Sequence, residues 1–117
     1  MAAPDGVEVR GYLPDLRRHL VACDLAVVQG GLSTTMELTA ARRPFLYLPL
    51  RNHFEQQIHV PHRLGNYRAG RRVDYAEAVE PERLAEVIAA EVGRPVAYRP
   101  VETDGAARAA RLLAELV

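Results

Sequence analysis

Two apolar runs, Leu25–Gln29 and Phe45–Leu50, stand about one helix length apart, with Gly30-Gly31 directly after the first and Pro49 inside the second. Neither run alternates apolar with polar. A strand that is apolar at nearly every position has to be covered on both faces, which is the condition of a parallel sheet. Parallel neighbours need a crossover, and Thr34–Arg42 reads as the crossover helix, stopped before Pro44 because the residue ahead of a proline avoids helical backbone. The remainder alternates in the same way. Val7–Tyr12 reads as a short strand. A helix from about Pro14 to Ala22 places Leu13, Leu16, Leu20 and Val21 on one face. Phe54–Leu64 reads as a helix that Pro61 should kink or end, and Tyr67–Val73 as the site of a short edge strand. Glu82–Val92 follows Pro81 and precedes Gly93 and Pro95, and Ala106–Leu116 forms a last helix capped near Thr103 or Asp104. The expected fold is therefore α/β: a parallel sheet with flanking helices and right-handed crossovers, with Leu25–Gln29 and Phe45–Leu50 as central neighbours.

Composition narrows the function classes. The 117 residues make one domain or part of one, and they carry no internal repeat or low-complexity linker. Basic and acidic residues balance at 15 each, so no net field favours nucleic acid or an anionic membrane. Every basic residue is arginine and none is lysine, so an arginine at one position says little about a phosphate site. Cys23 is the only cysteine. It reads as core packing, excludes an internal disulfide and fits a reducing cytoplasm. No apolar stretch reaches membrane-spanning length, and Met1-Ala2-Ala3-Pro4 lacks the form of a signal peptide.

In a parallel α/β sheet, ligands bind beyond the carboxyl ends of the strands. Two loops fall there. In the first, Gln29-Gly30-Gly31-Leu32-Ser33-Thr34, the glycines let backbone approach a ligand, and the following helix offers free N–H groups that suit a phosphate. A tight strand-to-helix turn with Ser33 or Thr34 as N-cap explains the same residues. The third glycine of the dinucleotide fingerprint is absent. Glu37 also carries two readings. With Thr34 it completes a capping box; alternatively its two carboxylate oxygens accept hydrogen bonds from a pair of sugar hydroxyls.

The second loop is Leu50-Arg51-Asn52-His53-Phe54-Glu55-Gln56-Gln57. Its three adjacent carboxylate and amide side chains can read several hydroxyls, or simply form a solvated helix start. His53, His59 and His62 lack the Cys or carboxylate partners of a usual metal-ligand spacing and read as surface or packing residues.

Gln29-Gly30-Gly31-x-Ser33-Thr34-x-x-Glu37, then Pro44, Pro49 and Glu55-Gln56-Gln57, resembles the C-terminal donor-binding half of inverting GT-B glycosyltransferases. Macrolide-type and other UDP-glucuronosyl/UDP-glucosyltransferase-like enzymes are the nearest in pattern, and the peptidoglycan N-acetylglucosaminyltransferase that makes lipid II is similar too. The resemblance covers about Val7–Gly70 and implies a Rossmann-like sheet forming a partial C-terminal GT-B domain, with residues 1–117 a single nucleotide-sugar-binding unit. It implies roles residue by residue. Gly30 and Gly31 form the phosphate loop, with Ser33 and Thr34 as its diphosphate-binding polar positions. Gln29 stands where many members have a histidine; it can donate one hydrogen bond but carries no charge. Glu37 binds the ribose hydroxyls. Glu55 and Gln56 hold the hydroxyls of the transferred sugar, joined by Gln57. Tyr12 and Leu13 fall where the chain passes the nucleobase.

The implied chemistry is transfer of a sugar from a UDP- or dTDP-sugar to an acceptor hydroxyl with inversion. Fixed dipoles meet the charge that develops on the diphosphate, and a general base assists the acceptor. By the resemblance, base and acceptor site belong to an N-terminal half missing from this chain, so the chain alone is expected to be inactive. No metal, other cofactor or nucleic acid is expected, and apolar surface left by the missing part is expected to favour a homodimer. Two other readings stay open: a nucleotide-sugar epimerase of the same fold, whose acidic pattern after the glycines is not found, and a non-catalytic module that acts by association with a partner chain.

Overall fold

The structure is a computed structural model that describes residues 3–117. Met1 and Ala2, which open the segment read as lacking signal-peptide form, lie outside those residues. Three parallel strands lie in the order β1-β2-β3: β1 Ala26–Gln29, β2 Phe45–Leu48 and β3 Arg71–Arg72. Ala26 pairs with Phe45 and Gln29 with Leu48, while Leu46 pairs with Arg71. The two apolar runs are thus parallel neighbours as expected, but β2 alone is central and β1 is an edge.

The helices are α1 Leu16–Ala22, α2 Leu32–Ala40, α3 Val60–Tyr67, α4 Tyr75–Ala78, α5 Pro81–Glu91 and α6 Gly105–Ala114. Strand β2 explains why its sequence is apolar throughout. Phe45 and Tyr47 pack with Leu38 of α2 and Val60 and Leu64 of α3 on one face. Leu46 packs with Val73 and with Val87 of α5 on the other. Burying side chains of this size stabilises by roughly 1.5–3 kcal/mol each relative to exposure.

Three expectations require correction. Val7–Tyr12 is not a strand: among the described residues no strand pairs with it, and Val9 is 77% exposed. Without a partner, extended apolar residues have neither ladder nor core to hold them. Helix α2 begins at Leu32 rather than Thr34. Its N-cap is Gly31, with extended backbone at φ −70° and ψ 143° and no capping side chain. The Thr34–Glu37 capping box is therefore not formed. Finally, Phe54–Leu64 is not one α-helix. Glu55–His59 is a π-helical segment, closed by the Val60 N–H bonding to the Glu55 carbonyl, and α3 follows with Pro61 in its first turn. An α-helical ladder would call on an N–H at position 61 to reach the carbonyl of Gln57, and proline has none. The wider π register passes that position without a break in helical winding.

Two glycines decide packing. Gly70 has φ +70°, and a Cβ there would lie 2.5 Å from the Phe45 ring. It lets β3 approach β2. Gly30 does the same for β1 and the turn after β2.

Candidate functional site

Both sequence-selected loops leave the carboxyl ends of adjacent strands, β1 and β2. The Gly30 N–H donates to the Leu48 carbonyl at 3.2 Å, extending the β1–β2 ladder by one residue. A Cβ on Gly30 would stand 3.0 Å from the Pro49 Cα and 3.5 Å from Oε1 of Gln56. Gly30 and Gln56, 26 positions apart in the chain, are thus packed side by side.

At the start of α2 the first-turn N–H groups of Leu32, Ser33 and Thr34 have no partner within the helix, and no side chain caps them. Ser33 is exposed and Thr34 half-buried. The hydroxyl that turns inward belongs to the next residue: Thr35 Oγ1, buried, donates to the Gly31 carbonyl at 2.7 Å. Glu37 is exposed on α2. Its spacing from Ser33 and Thr34, four and three residues, puts all three on one side of the helix. Gln29 is exposed at the end of β1.

The second loop is organised by its amides. Gln56 is buried, and its Oε1 accepts the Leu50 N–H at 2.9 Å. Its Nε2 has no hydrogen-bond partner among the described residues, yet it is not sealed from solvent. The Gln56 N–H donates to Nδ1 of His53 at 3.3 Å. Gln57 is more fully engaged. Its Nε2 donates to the carbonyls of Leu50 at 2.8 Å and Pro49 at 3.4 Å, and its Oε1 accepts from Arg72. Glu55 is exposed. A cavity of about 280 Å³ is lined by Leu32 at the start of α2, Glu55 and His59 of the π-helical segment, and His62 and Arg63 of α3. A separate cleft of about 460 Å³ is lined by Leu50, Arg51, Asn52, His53 and Tyr75, with the Arg51 guanidinium 5.2 Å from the Tyr75 ring centre.

Not every selected residue joins this cluster. Tyr12 is 93% exposed and Leu13 half-buried on the stretch before α1, and no hydrogen bond among the described residues ties either to the two loops. A larger cavity of about 650 Å³, lined by Phe45, Gly70, Arg94 and Tyr98 among others, opens at the amino ends of β2 and β3 and involves none of the selected residues. Sequence reasoning missed Arg72 and the backbone of Leu50. In a chain whose cations are all arginine, nothing local marks Arg72. Among the described residues no group of three or more His, Cys, Asp or Glu stands close enough to share a metal ion. No helix among them is long and apolar enough to cross a membrane.

A parallel sheet with flanking helices and a glycine turn and an amide-rich loop at the carboxyl ends of its first two strands is the Rossmann-like α/β fold of a GT-B glycosyltransferase C-terminal domain. The chain belongs to the glycosyltransferase family 28 C-terminal domain, whose family model matches residues 3–116. No curated protein and no solved structure matches the chain.

Proposed function

We propose that this chain binds the diphosphate of a UDP- or dTDP-sugar on the Gly30–Thr34 loop, the ribose on Glu37 and the transferred sugar on Glu55 and Gln56, as part of an inverting hexosyltransferase. The observation that carries this reading is the uncapped start of α2 lying beside Gln56. Three free amides in a first helical turn suit a diphosphate, and a part-buried carboxamide with a spare donor one strand away suits a sugar hydroxyl. The helix-start amides, with Ser33 and Thr34, stabilise the charge that develops as the diphosphate leaves. Hydrogen bonds from Gln56 and Glu55 orient the anomeric carbon. Gln29 contributes at most a neutral hydrogen bond to the phosphates. A relationship to UDP-glycosyltransferases and to the peptidoglycan N-acetylglucosaminyltransferase is part of this proposal, as is a cytoplasmic location.

The attacking hydroxyl and its general base lie on a further, acceptor-binding part of the enzyme, with this chain a single donor-binding unit within it. The exposed Leu112, Leu113 and Leu116 at the C-terminal end of α6 support self-association of the isolated chain. Sedimentation reads that directly: a monomer at high concentration removes the dimer.

Calorimetric titration with UDP, dTDP and GDP, then with their sugars, tests the donor reading. Binding of one diphosphate, strengthened by its sugar, is the expected result. No binding to any of them favours instead a non-catalytic module that works by association. Sugar transfer to an added acceptor by the purified chain alone would overturn the placement of the base elsewhere.

A further inference from the structure

The edge strand β3 reaches the second loop through one side chain. Arg72 Nη2 donates to Oε1 of Gln57 at 2.6 Å, and Nη1 reaches the Gln57 carbonyl at 3.4 Å. That carbonyl is the one Pro61 cannot serve. Arg72 Nε bonds Oδ1 of Asp74 at 3.0 Å, which holds the guanidinium from its other side. Gln57 passes the constraint on, because its Nε2 donates to the Leu50 and Pro49 carbonyls. The amide can sit only one way round. A guanidinium only donates, so it must face Oε1; carbonyls only accept, so they must face Nε2. The Leu50 backbone is then held from both sides, its carbonyl by Gln57 and its N–H by Gln56.

We propose that Arg72 is a positioning residue for the sugar part of the donor site. It acts through Gln57 on the Pro49–Leu50 backbone, and so on the side chain of Gln56. The inference rests on the donor-site reading above and adds to it a specific dependence: Arg72 affects sugar recognition and leaves diphosphate recognition alone. None of its hydrogen bonds reaches the Gly30–Thr34 loop. Its side chain is 36% exposed, so the effect is moderate, about three- to tenfold. Lysine cannot replace it fully, because one ammonium lacks the planar fork that engages Gln57 and Asp74 together.

The test compares UDP with UDP-glucose and UDP-N-acetylglucosamine by calorimetry on the whole chain. The quantity read is the ratio of sugar-nucleotide to UDP affinity. Arg72→Ala is expected to lower that ratio three- to tenfold, with UDP affinity and melting temperature unchanged, and Arg72→Lys to fall between. In a Gln57→Ala background Arg72→Ala is expected to add nothing, because both act on one chain of contacts. The inference is overturned if UDP and sugar-nucleotide affinities fall together, if the ratio is unchanged, or if the two substitutions add. A wild type that binds UDP but gains nothing from either sugar also overturns it, while leaving the nucleotide part of the donor reading standing. A wild type that binds no nucleotide overturns the donor reading itself, and this inference with it.

Discussion

Gly30 and Pro49 meet backbone to backbone: a Cβ on Gly30 would stand 3.0 Å from the Pro49 Cα and 3.4 Å from its nitrogen. The contact closes the carboxyl ends of β1 and β2 onto one another. It is the reason the two polar loops face a common space.

Gly30→Ala is therefore expected to force the loops apart at a cost of about 1–3 kcal/mol, as overpacking against rigid backbone does. Gly31 is the contrast, since nothing lies within 4 Å of a Cβ there and its φ is −70°. Gly31→Ala should cost less than about 1 kcal/mol, the penalty of alanine at an N-cap. Urea titrations of the two variants check the difference. Equal stability losses would remove the Gly30–Pro49 contact as the organising feature.

Glu37→Gln separates ligand binding from folding. Gly31, and no side chain, caps α2, so the substitution should leave thermal stability unchanged. If Glu37 accepts hydrogen bonds from a ribose diol, the loss is about 1.5–3 kcal/mol, or roughly tenfold to a hundredfold in affinity. A 2′-deoxynucleoside diphosphate sharpens the result: wild type should bind it less well than the ribonucleotide, and the variant should lose little more. A variant that binds ribonucleotide like wild type rejects the ribose role.

Gln56 and Glu55 should behave differently although adjacent. Gln56→Leu leaves the Leu50 N–H without its acceptor, which should cost about 1–3 kcal/mol of stability, and also removes the proposed sugar contact. Glu55 is exposed, so Glu55→Gln should leave the melting temperature alone and weaken only binding of the sugar-nucleotide. Paired melts and titrations read both quantities. A Glu55→Gln protein with unchanged sugar-nucleotide affinity would exclude that carboxylate from the site.

The two buried tyrosines set a pH dependence. Burial pushes the phenols of Tyr47 and Tyr98 above the ordinary value. In Tyr47 the Arg72 guanidinium offsets part of that and Asp74 adds to it; in Tyr98 backbone hydrogen bonding offsets part of it. A folded-state pKa above the unfolded one means that the stability is fully present below about pH 10 and is lost as pH rises through the folded value. The chain contains no lysine, so ammonium groups do not obscure the titration. Denaturant midpoints from pH 8 to 11.5 should fall at the alkaline end, and Tyr98→Phe should flatten that fall. The same variant forfeits the Tyr98 hydroxyl's 2.9 Å bond to the Arg43 carbonyl and should start lower at neutral pH. A midpoint that does not change above pH 10 rejects the prediction.

Much of the sheet was legible locally. The non-alternating runs around Val27 and Leu46 predict strands covered on both faces. Leu46 is flanked by Val73 and Val87 on the face opposite Phe45 and Tyr47, whereas Val27, on the edge strand β1, is 49% exposed, so that run is not covered on both faces. Pro81 marks the start of α5 because a first-turn proline forfeits no helical bond. The start of α2 was misplaced by two residues: a threonine followed by a glutamate three positions on resembles a cap, whereas Gly31 already adopts the N-cap backbone. Val7–Tyr12 carries strand-like residues, but pairing depends on a neighbour that local sequence does not report.

The sequence by itself determined where backbone can come close and where helices can begin and end, because glycine and proline act through their own φ and their own N–H. It also selected the hydrogen-bonding side chains that gather at the carboxyl edge of the sheet. Only the tertiary structure decided how those side chains are used. Gln56 and Gln57 are identical and adjacent, yet one keeps an amide nitrogen without a partner among the described residues while the other is bonded at both ends. The difference comes from the Leu50 and Pro49 carbonyls, which Gln57 Nε2 reaches and Gln56 Nε2 does not, while Arg72, 15 residues further along, holds the Gln57 oxygen. Hydrogen-bond capacity is a property of the residue, but its partners are set by packing between distant segments, on which composition and periodicity are silent.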